Sequence, residues 1–176
     1  MILGAVLAGG QSSRFGSDKA LAQLAGETLL TRAVDLLSGW CEKVIVVGRE
    51  QAPAPTRPDW PRPGMGPLGG IAAALHGARD LGFDLVLTCG VDSLDLPRAL
   101  PDLLAPAPAY LADQPVVGLW PISAIKSIEE ILRGTGRHSV RAFAEAIGAR
   151  AARAKSPSIN INTPEDLAQA EKYHGL

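Results

Sequence analysis

ILGAVLAGGQSSRFGSDKA, residues 2–20, decides how the rest of the chain is read. Residues 2–7 are apolar and give way to glycine, which suits a fully buried strand. The stretch that follows holds Gly9, Gly10, Gly16, Ser12 and Ser13, together with two cations, Arg14 and Lys19. Glycines let backbone N–H groups approach an anion closely, and successive N–H groups form an anion-binding nest. Arginine adds a planar fork and lysine a point donor. Ligands in open α/β sheets collect at the carboxyl ends of strands, so phosphate binding is the natural reading. A Gly/Ser-rich turn with incidental charges is the alternative.

Two familiar phosphate loops do not fit. The P-loop requires Gly-Lys-Ser/Thr, but Gly16 is followed by Ser17, Asp18, Lys19 and Ala20. The dinucleotide fingerprint requires G-x-G-x-x-G, and Gly9, Gly10 and Gly16 have the wrong spacing.

Further along, KVIVVG (43–48) and DLVLTCG (84–90) read as buried strands. TLLTRAVDLLSGW (28–40) has helical spacing, with Thr28 as N-cap, and PLGGIAAALHGARD (67–80) opens a helix with proline in its first turn. The Pro-rich residues 49–66 between them read as a surface loop. In the second half, 97–104, 123–132, 139–149 and 164–173 read as helices and 116–120 as a strand. Apolar strands alternating with helices indicate a single three-layer α/β/α domain with a mostly parallel sheet. No repeat or linker divides it.

The 176 residues are 47% hydrophobic and 20% charged, as expected of one folded domain. Seventeen basic residues against 18 acidic give a net charge of −1, which argues against nucleic-acid binding. Any anion site must therefore be local. Cys41 and Cys89 make neither a disulfide framework nor a zinc pattern. No apolar stretch is long enough to span a membrane, and the reading is a soluble, cytoplasmic protein.

LAGGQSSRFGSDKA resembles the nucleotidyltransferase signature L-A-[GA]-G-x-S-x-R-[MF]-G-x-[DN]-K, and more closely that of the molybdenum cofactor guanylyltransferase (MobA) family. GPLGGI (66–71), CGVDSLDLP (89–97), QPVVGLW (114–120), GRHSVRAF (136–143) and NINTPEDL (160–167) agree with that family in order and spacing, with two residues inserted before the proline of CGVDSLDLP. The resemblance implies a Rossmann-like, GT-A-like nucleotidyltransferase fold, with residues 1–97 as the nucleotide-binding half and 98–176 as the substrate-binding half. It implies transfer of GMP from GTP to the terminal phosphate of molybdopterin, with Mg²⁺ and release of pyrophosphate. Proteins that insert or deliver the cofactor are further implied partners. A cytidylyltransferase, a transferase for another phosphorylated acceptor, and a non-catalytic nucleotide-binding protein are the alternatives.

Carried over residue by residue, the family's pattern places the base and ribose on Leu7, Ala8, Gly9 and Gly10. Gly at position 9 goes with guanine, where alanine goes with cytosine. Arg14 would hold the outer phosphates, Lys19 the α-phosphate, and Asp92 the magnesium ion; Asp95 competes with Asp92 or caps a turn. Asp59 would meet guanine or ribose, or cap its loop. Gly66, Leu68, Gly69 and Gly70 would present helix N–H groups to the nucleotide, although the paired glycines would equally admit a neighbouring strand. Arg137, Ser139 and Arg141 would hold the substrate phosphate or form a solvated turn. Asn160 and Asn162 would face the pterin, with Asn162 doubling as a helix cap. Trp120 packs in the core or flanks the pterin.

Overall fold

The computed structural model describes residues 1–10, 18–155 and 159–174. In chain order the elements are β1 (Ile2–Leu7), β2 (Gln23–Leu24), β3 (Glu27–Thr28), α1 (Leu29–Ser38), β4 (Lys43–Val47), β5 (Thr56–Arg57), α2 (Gly66–Leu81), β6 (Leu85–Gly90) and β7 (Ser93–Leu94). They continue with α3 (Leu100–Leu104), β8 (Ala109–Leu111), β9 (Gly118–Pro121), α4 (Ile125–Arg133), α5 (Val140–Ala146), β10 (Arg150–Ala152), β11 (Ile159–Asn160) and α6 (Pro164–His174).

Among the described residues, seven strands form the central sheet in the order β10-β8-β9-β6-β1-β4-β5. β1 pairs in parallel with both β4 and β6, while β9 runs antiparallel between β6 and β8. The sheet is therefore mostly parallel, and strands from both halves of the chain share it. Alternation along β1 explains the layers. Leu3 and Ala5 face α2, α4 and α5 with Ile71, Leu75, Ile128, Leu132 and Phe143. Val6 faces α1 and α3 with Leu30, Val34, Leu37, Leu100 and Leu104. Period-two side-chain direction in a strand buried on both faces requires such a division.

The α1 entry is as the sequence predicts: the Thr28 hydroxyl accepts from Thr31 N–H at 3.1 Å. β2 and β3 form a hairpin through Ala25 and Gly26, both at positive φ, as a two-residue turn of this hand requires. Residues 49–66 depart from the surface-loop expectation. They contribute β5 to the sheet edge, and Asp59 within them is 9% exposed. Trp60 N–H is tied to the Gly69 carbonyl at 3.1 Å, which holds the segment against α2.

Trp120 is fully buried against Phe143 and Tyr110, so it packs the core and does not reach a ligand. Its Nε1–H donates to the Thr88 hydroxyl at 2.9 Å, and that hydroxyl donates to the Val116 carbonyl at 2.6 Å. A buried indole N–H needs such a partner. Replacing Thr88 by valine keeps the shape and removes it. We expect Thr88→Val to lower unfolding free energy by about 1–3 kcal/mol, the cost of an orphaned buried donor. Urea denaturation checks this, and an unchanged midpoint would contradict it.

Candidate active site

The chain runs from β1 through α1 to β4, then returns over the opposite face through α2 to β6. Strand order reverses beside β1, and a crevice opens outside the carboxyl ends of strands at such a point. A cleft of about 600 Å³ lies there. Leu7, Ala8, Gly9 and Gly10 enter it from β1, Val47 from β4, and Gly90, Val91 and Asp92 from β6.

Lys19 and Asp92 meet inside this cleft. Lys19 Nζ donates to Asp92 Oδ2 at 2.9 Å, with side chains 12% and 23% exposed. Lys19 sits on a short 3₁₀ turn, Lys19–Leu21, that Asp18 caps by accepting from Ala20 N–H at 3.2 Å. The Arg49 guanidinium grips the same Asp18 carboxylate from the end of β4, at 2.9 and 2.8 Å. That grip holds the Asp18 carboxyl below its ordinary range.

Asp59 forms a second, differently charged region. Gly9 and Gly48 approach so closely that a Cβ on Gly48 would fall 2.5 Å from the Gly9 Cα, and Gly48 has φ +88°. A side chain is excluded from position 48, and one at position 9 would be tight against Gly48 and Asp59. A Cβ on Gly9 would lie 3.3 and 3.4 Å from the Asp59 carboxylate oxygens, and one on Gly70 3.7 Å from Oδ1. The carboxylate is thus wrapped in backbone, and burial raises its pKa above the ordinary value, against a backbone hydrogen bond from Gly64 that lowers it.

The second half supplies the facing wall, with Asp113, Gln114, Pro115, Val116 and Asn162. The Ser93 hydroxyl donates to Gln114 Oε1 at 3.0 Å and accepts from Gly90 N–H at 3.3 Å, joining the two walls. β11 pairs antiparallel with β7, Asn160 opposite Ser93, and Ile161 N–H reaches the Asp92 carbonyl at 3.3 Å. This pairing brings the NINTPEDL segment to the cleft.

Among the residues singled out from sequence, Leu7, Ala8, Gly9, Gly10, Lys19, Asp59, Gly66, Gly70, Asp92 and Asn162 line the cleft together. Arg14 lies outside the described residues, as does the side chain of Asn160. The remaining ones go elsewhere. Leu68 is fully buried in the core beneath α2, because it falls on the helix face turned to the sheet. Gly69 is explained by protein, since a Cβ there would overlap Met65 and approach the Trp60 carbonyl at 3.0 Å. Arg137 and Ser139 are not among the lining residues. The Ser139 hydroxyl accepts from Ala142 N–H at 3.1 Å and caps α5.

Asn162 is not the cap of α6. Thr163 Oγ1 accepts from Asp166 N–H at 3.1 Å, and the Asp166 carboxylate accepts from Asn162 and Thr163 N–H at 2.9 Å each. This reciprocal box satisfies the helix start and leaves Asn162 on the cleft wall. Asp95 is exposed at φ +54°, in a turn. Sequence reading missed Asp18, Arg49, Asp113 and Gln114. The Thr-Pro-Glu-Asp order carries the box signal; nothing local marks Arg49 or Asp113.

The chemistry available is that of charge and position. Burial pushes both thiols up, Cys41 to about 12, so neither supplies a thiolate. No three His, Cys, Asp or Glu groups among the described residues cluster to hold a metal ion. Magnesium, however, is commonly held by one or two carboxylates plus substrate phosphates, and the hard oxygen donors of Asp92 suit that arrangement.

A family profile described as the MobA-like NTP transferase domain matches residues 4–154. The chain belongs to this family. It is 37% identical over 183 residues to the molybdenum cofactor guanylyltransferase of Acidiphilium cryptum, covering 94% of this chain and 92% of that one. It is 34% identical over 181 residues to the enzyme of the same name from Rhodobacter capsulatus, covering 97% and 95%. In solved structures the fold recurs in molybdopterin-guanine dinucleotide biosynthesis protein A of Archaeoglobus fulgidus, with TM-score 0.75 and 21% identity over 98% of each chain. It recurs also in 2-C-methyl-D-erythritol 4-phosphate cytidylyltransferase of Thermus thermophilus, with TM-score 0.65 and 16% identity over 100% of each. By family the chain is a nucleotidyltransferase enzyme. No helix among the described residues is long and apolar enough to cross a membrane.

The Asp59 environment carries a stability consequence. A carboxyl with a raised folded pKa binds protons more readily when folded, so its ionisation costs stability at neutral pH and the cost fades as pH falls. We expect Asp59→Asn to raise the thermal midpoint at neutral pH, and the gain to shrink as pH falls into the ordinary carboxylate range. Thermal melts of both proteins across that range check it; an asparagine variant less stable at neutral pH would contradict it.

Proposed function

We propose that the protein transfers GMP from GTP to the terminal phosphate of molybdopterin, releasing pyrophosphate. The observation that carries this reading is the joint placement of Lys19, Asp92 and the buried Asp59 carboxylate in one cleft at the strand switch point. The names of relatives spanning nearly the whole chain support the same activity.

Asp59 suits guanine. Its carboxylate accepts hydrogen bonds, and guanine offers two adjacent donors, N1–H and the N2 amino group, where cytosine offers one amino group beside acceptors. Gly9 keeps those oxygens open. Alanine there would put a methyl group 3.3 Å from one of them. The physical role of glycine at this position thus agrees with the guanine form of the family motif.

In the reaction, an oxygen of the acceptor phosphate forms a bond to the α-phosphorus of GTP. The bond from that phosphorus to the bridging oxygen breaks, and pyrophosphate leaves with the electron pair. Little covalent help is needed; positioning and charge neutralisation dominate. Lys19 would neutralise the α-phosphate and Arg14 the outer phosphates. Asp92 would hold Mg²⁺, which supplies charge stabilisation for the phosphates when bound. Asn162, on the cleft wall, would orient the pterin together with Asn160. A cytosolic setting with free GTP suits this chemistry.

Pyrophosphate release measured with each nucleoside triphosphate and Mg²⁺, with and without molybdenum cofactor, tests the proposal. GTP-selective, pterin-dependent release is expected, whereas CTP preference would favour the cytidylyl alternative. GTP binding without release would favour a non-catalytic nucleotide-binding protein.

Two substitutions test the roles. Lys19→Ala should lower the single-turnover rate by on the order of 10²–10³, the scale for one preorganised charge donor. Asp92→Asn should lose Mg²⁺-dependent turnover and keep its circular dichroism. Near-normal rates in either would remove that residue from the mechanism.

A further inference from the structure

Asp18 and Arg49 make their contact at the rim of the cleft, 31 residues apart in sequence, and the proposed reaction uses neither. Both Asp18 oxygens are engaged by protein. Oδ1 accepts from Arg49 at 2.9 Å and from Ala20 N–H at 3.2 Å, and Oδ2 faces the second arm of the guanidinium at 2.8 Å. Arg49 is itself well anchored. The preceding Gly48 donates its N–H to the Arg57 carbonyl at 2.9 Å and lies against Gly9. Among the described residues Arg49 Nε has no hydrogen-bond partner, so the hold of this side chain on the chain runs through Asp18.

A continuous physical path follows. It leads from the end of β4 through the Arg49 fork to the Asp18 carboxylate, then through Ala20 N–H to the turn whose first residue is Lys19. That turn is closed by Leu21 N–H to the Asp18 carbonyl at 3.0 Å and Ala22 N–H to the Lys19 carbonyl at 3.2 Å. The Lys19 ammonium then reaches Asp92 at 2.9 Å.

We infer that Arg49 is a positioning residue: acting through Asp18, it fixes the turn that aims the Lys19 ammonium into the cleft. The Asp18 side chain is 44% exposed and that of Arg49 19%. With its carboxylate side open to solvent, the pair contributes modest stability. A two-armed arginine–carboxylate contact gives direction as well as attraction. Lysine cannot reproduce that fork.

The kinetic part of the test rests on the reading of Lys19 at the reacting phosphate. Steady-state kcat and KM for GTP are measured for wild type, Lys19→Ala, Arg49→Met, Arg49→Lys, Asp18→Asn and the Asp18→Asn/Arg49→Met double variant. Arg49→Met should lower kcat by roughly 10- to 100-fold, as misplacement of a catalytic group does, with a smaller change in KM. Arg49→Lys should recover only part of the loss. In the Asp18→Asn background, adding Arg49→Met should cost less than about 2-fold, because residues acting as one unit are not additive.

Unchanged kcat in Arg49→Met, a rise confined to KM, or a full loss added on top of Asp18→Asn would overturn the inference. A fault in the functional reading would show elsewhere, as absent GTP turnover in wild type or full activity in Lys19→Ala. A crystal structure of Arg49→Met without nucleotide gives a readout independent of the reaction. The Lys19–Asp92 contact should open beyond hydrogen-bond reach, and a contact kept at its wild-type distance overturns the proposal.

Discussion

Lys19 and Asp92 meet at 2.9 Å although 73 residues separate them in the chain. The contact exists because β1 lies between β4 and β6, with α1 and α2 crossing on opposite faces. The loop after β1 and the loop after β6 must then open on the same side of the sheet. An ion pair this sheltered is a poor way to gain stability, since desolvating two charges offsets most of their attraction. Its sense is chemical. In the proposed reaction each partner would give up its charge to a nucleotide and its metal, cation to phosphate and carboxylate to magnesium.

Two carboxylates of the cleft, Asp18 and Asp59, show how environment divides roles. Asp18 accepts two arms of Arg49 and a backbone N–H, and its carboxyl is held low. Asp59 is wrapped by Gly9, Gly48 and Gly70, and burial raises it. The first serves the architecture of the Lys19 turn. The second is a buried acceptor lining the cleft, held by a backbone hydrogen bond from Gly64 and open to further donors. Guanine supplies such donors.

Much of this was legible in the residues themselves. β1, β4 and β6 are apolar runs bounded by glycine or charge, and α1 announces its start through Thr28. The short strands were hidden. β5, β8 and β10 hold two or three residues each, too few for a period-two pattern to stand out. β5 was masked further by prolines at 55 and 58, which its edge position tolerates. In the site, the glycine and charge pattern of the first loop marked Lys19, and the family resemblance marked Gly9, Asp59 and Asp92. Arg49 carried no local signal because its meaning lies wholly in a partner 31 residues away. Leu68, Gly69 and Ser139 were drawn towards ligand by their motifs, yet core packing, a tight helix start and a capping bond account for them. Asn162 was freed by Thr163 and Asp166, whose box takes over the capping role.

The most direct measurement of the central claim is a crystal structure of the chain with GTP and magnesium bound. The account predicts the guanine edge on Asp59, the triphosphate beside Lys19, and the metal on Asp92, with the Lys19–Asp92 pair opened to admit them. A nucleotide bound outside this cleft, or one that leaves the pair closed and Asp59 untouched, would contradict it.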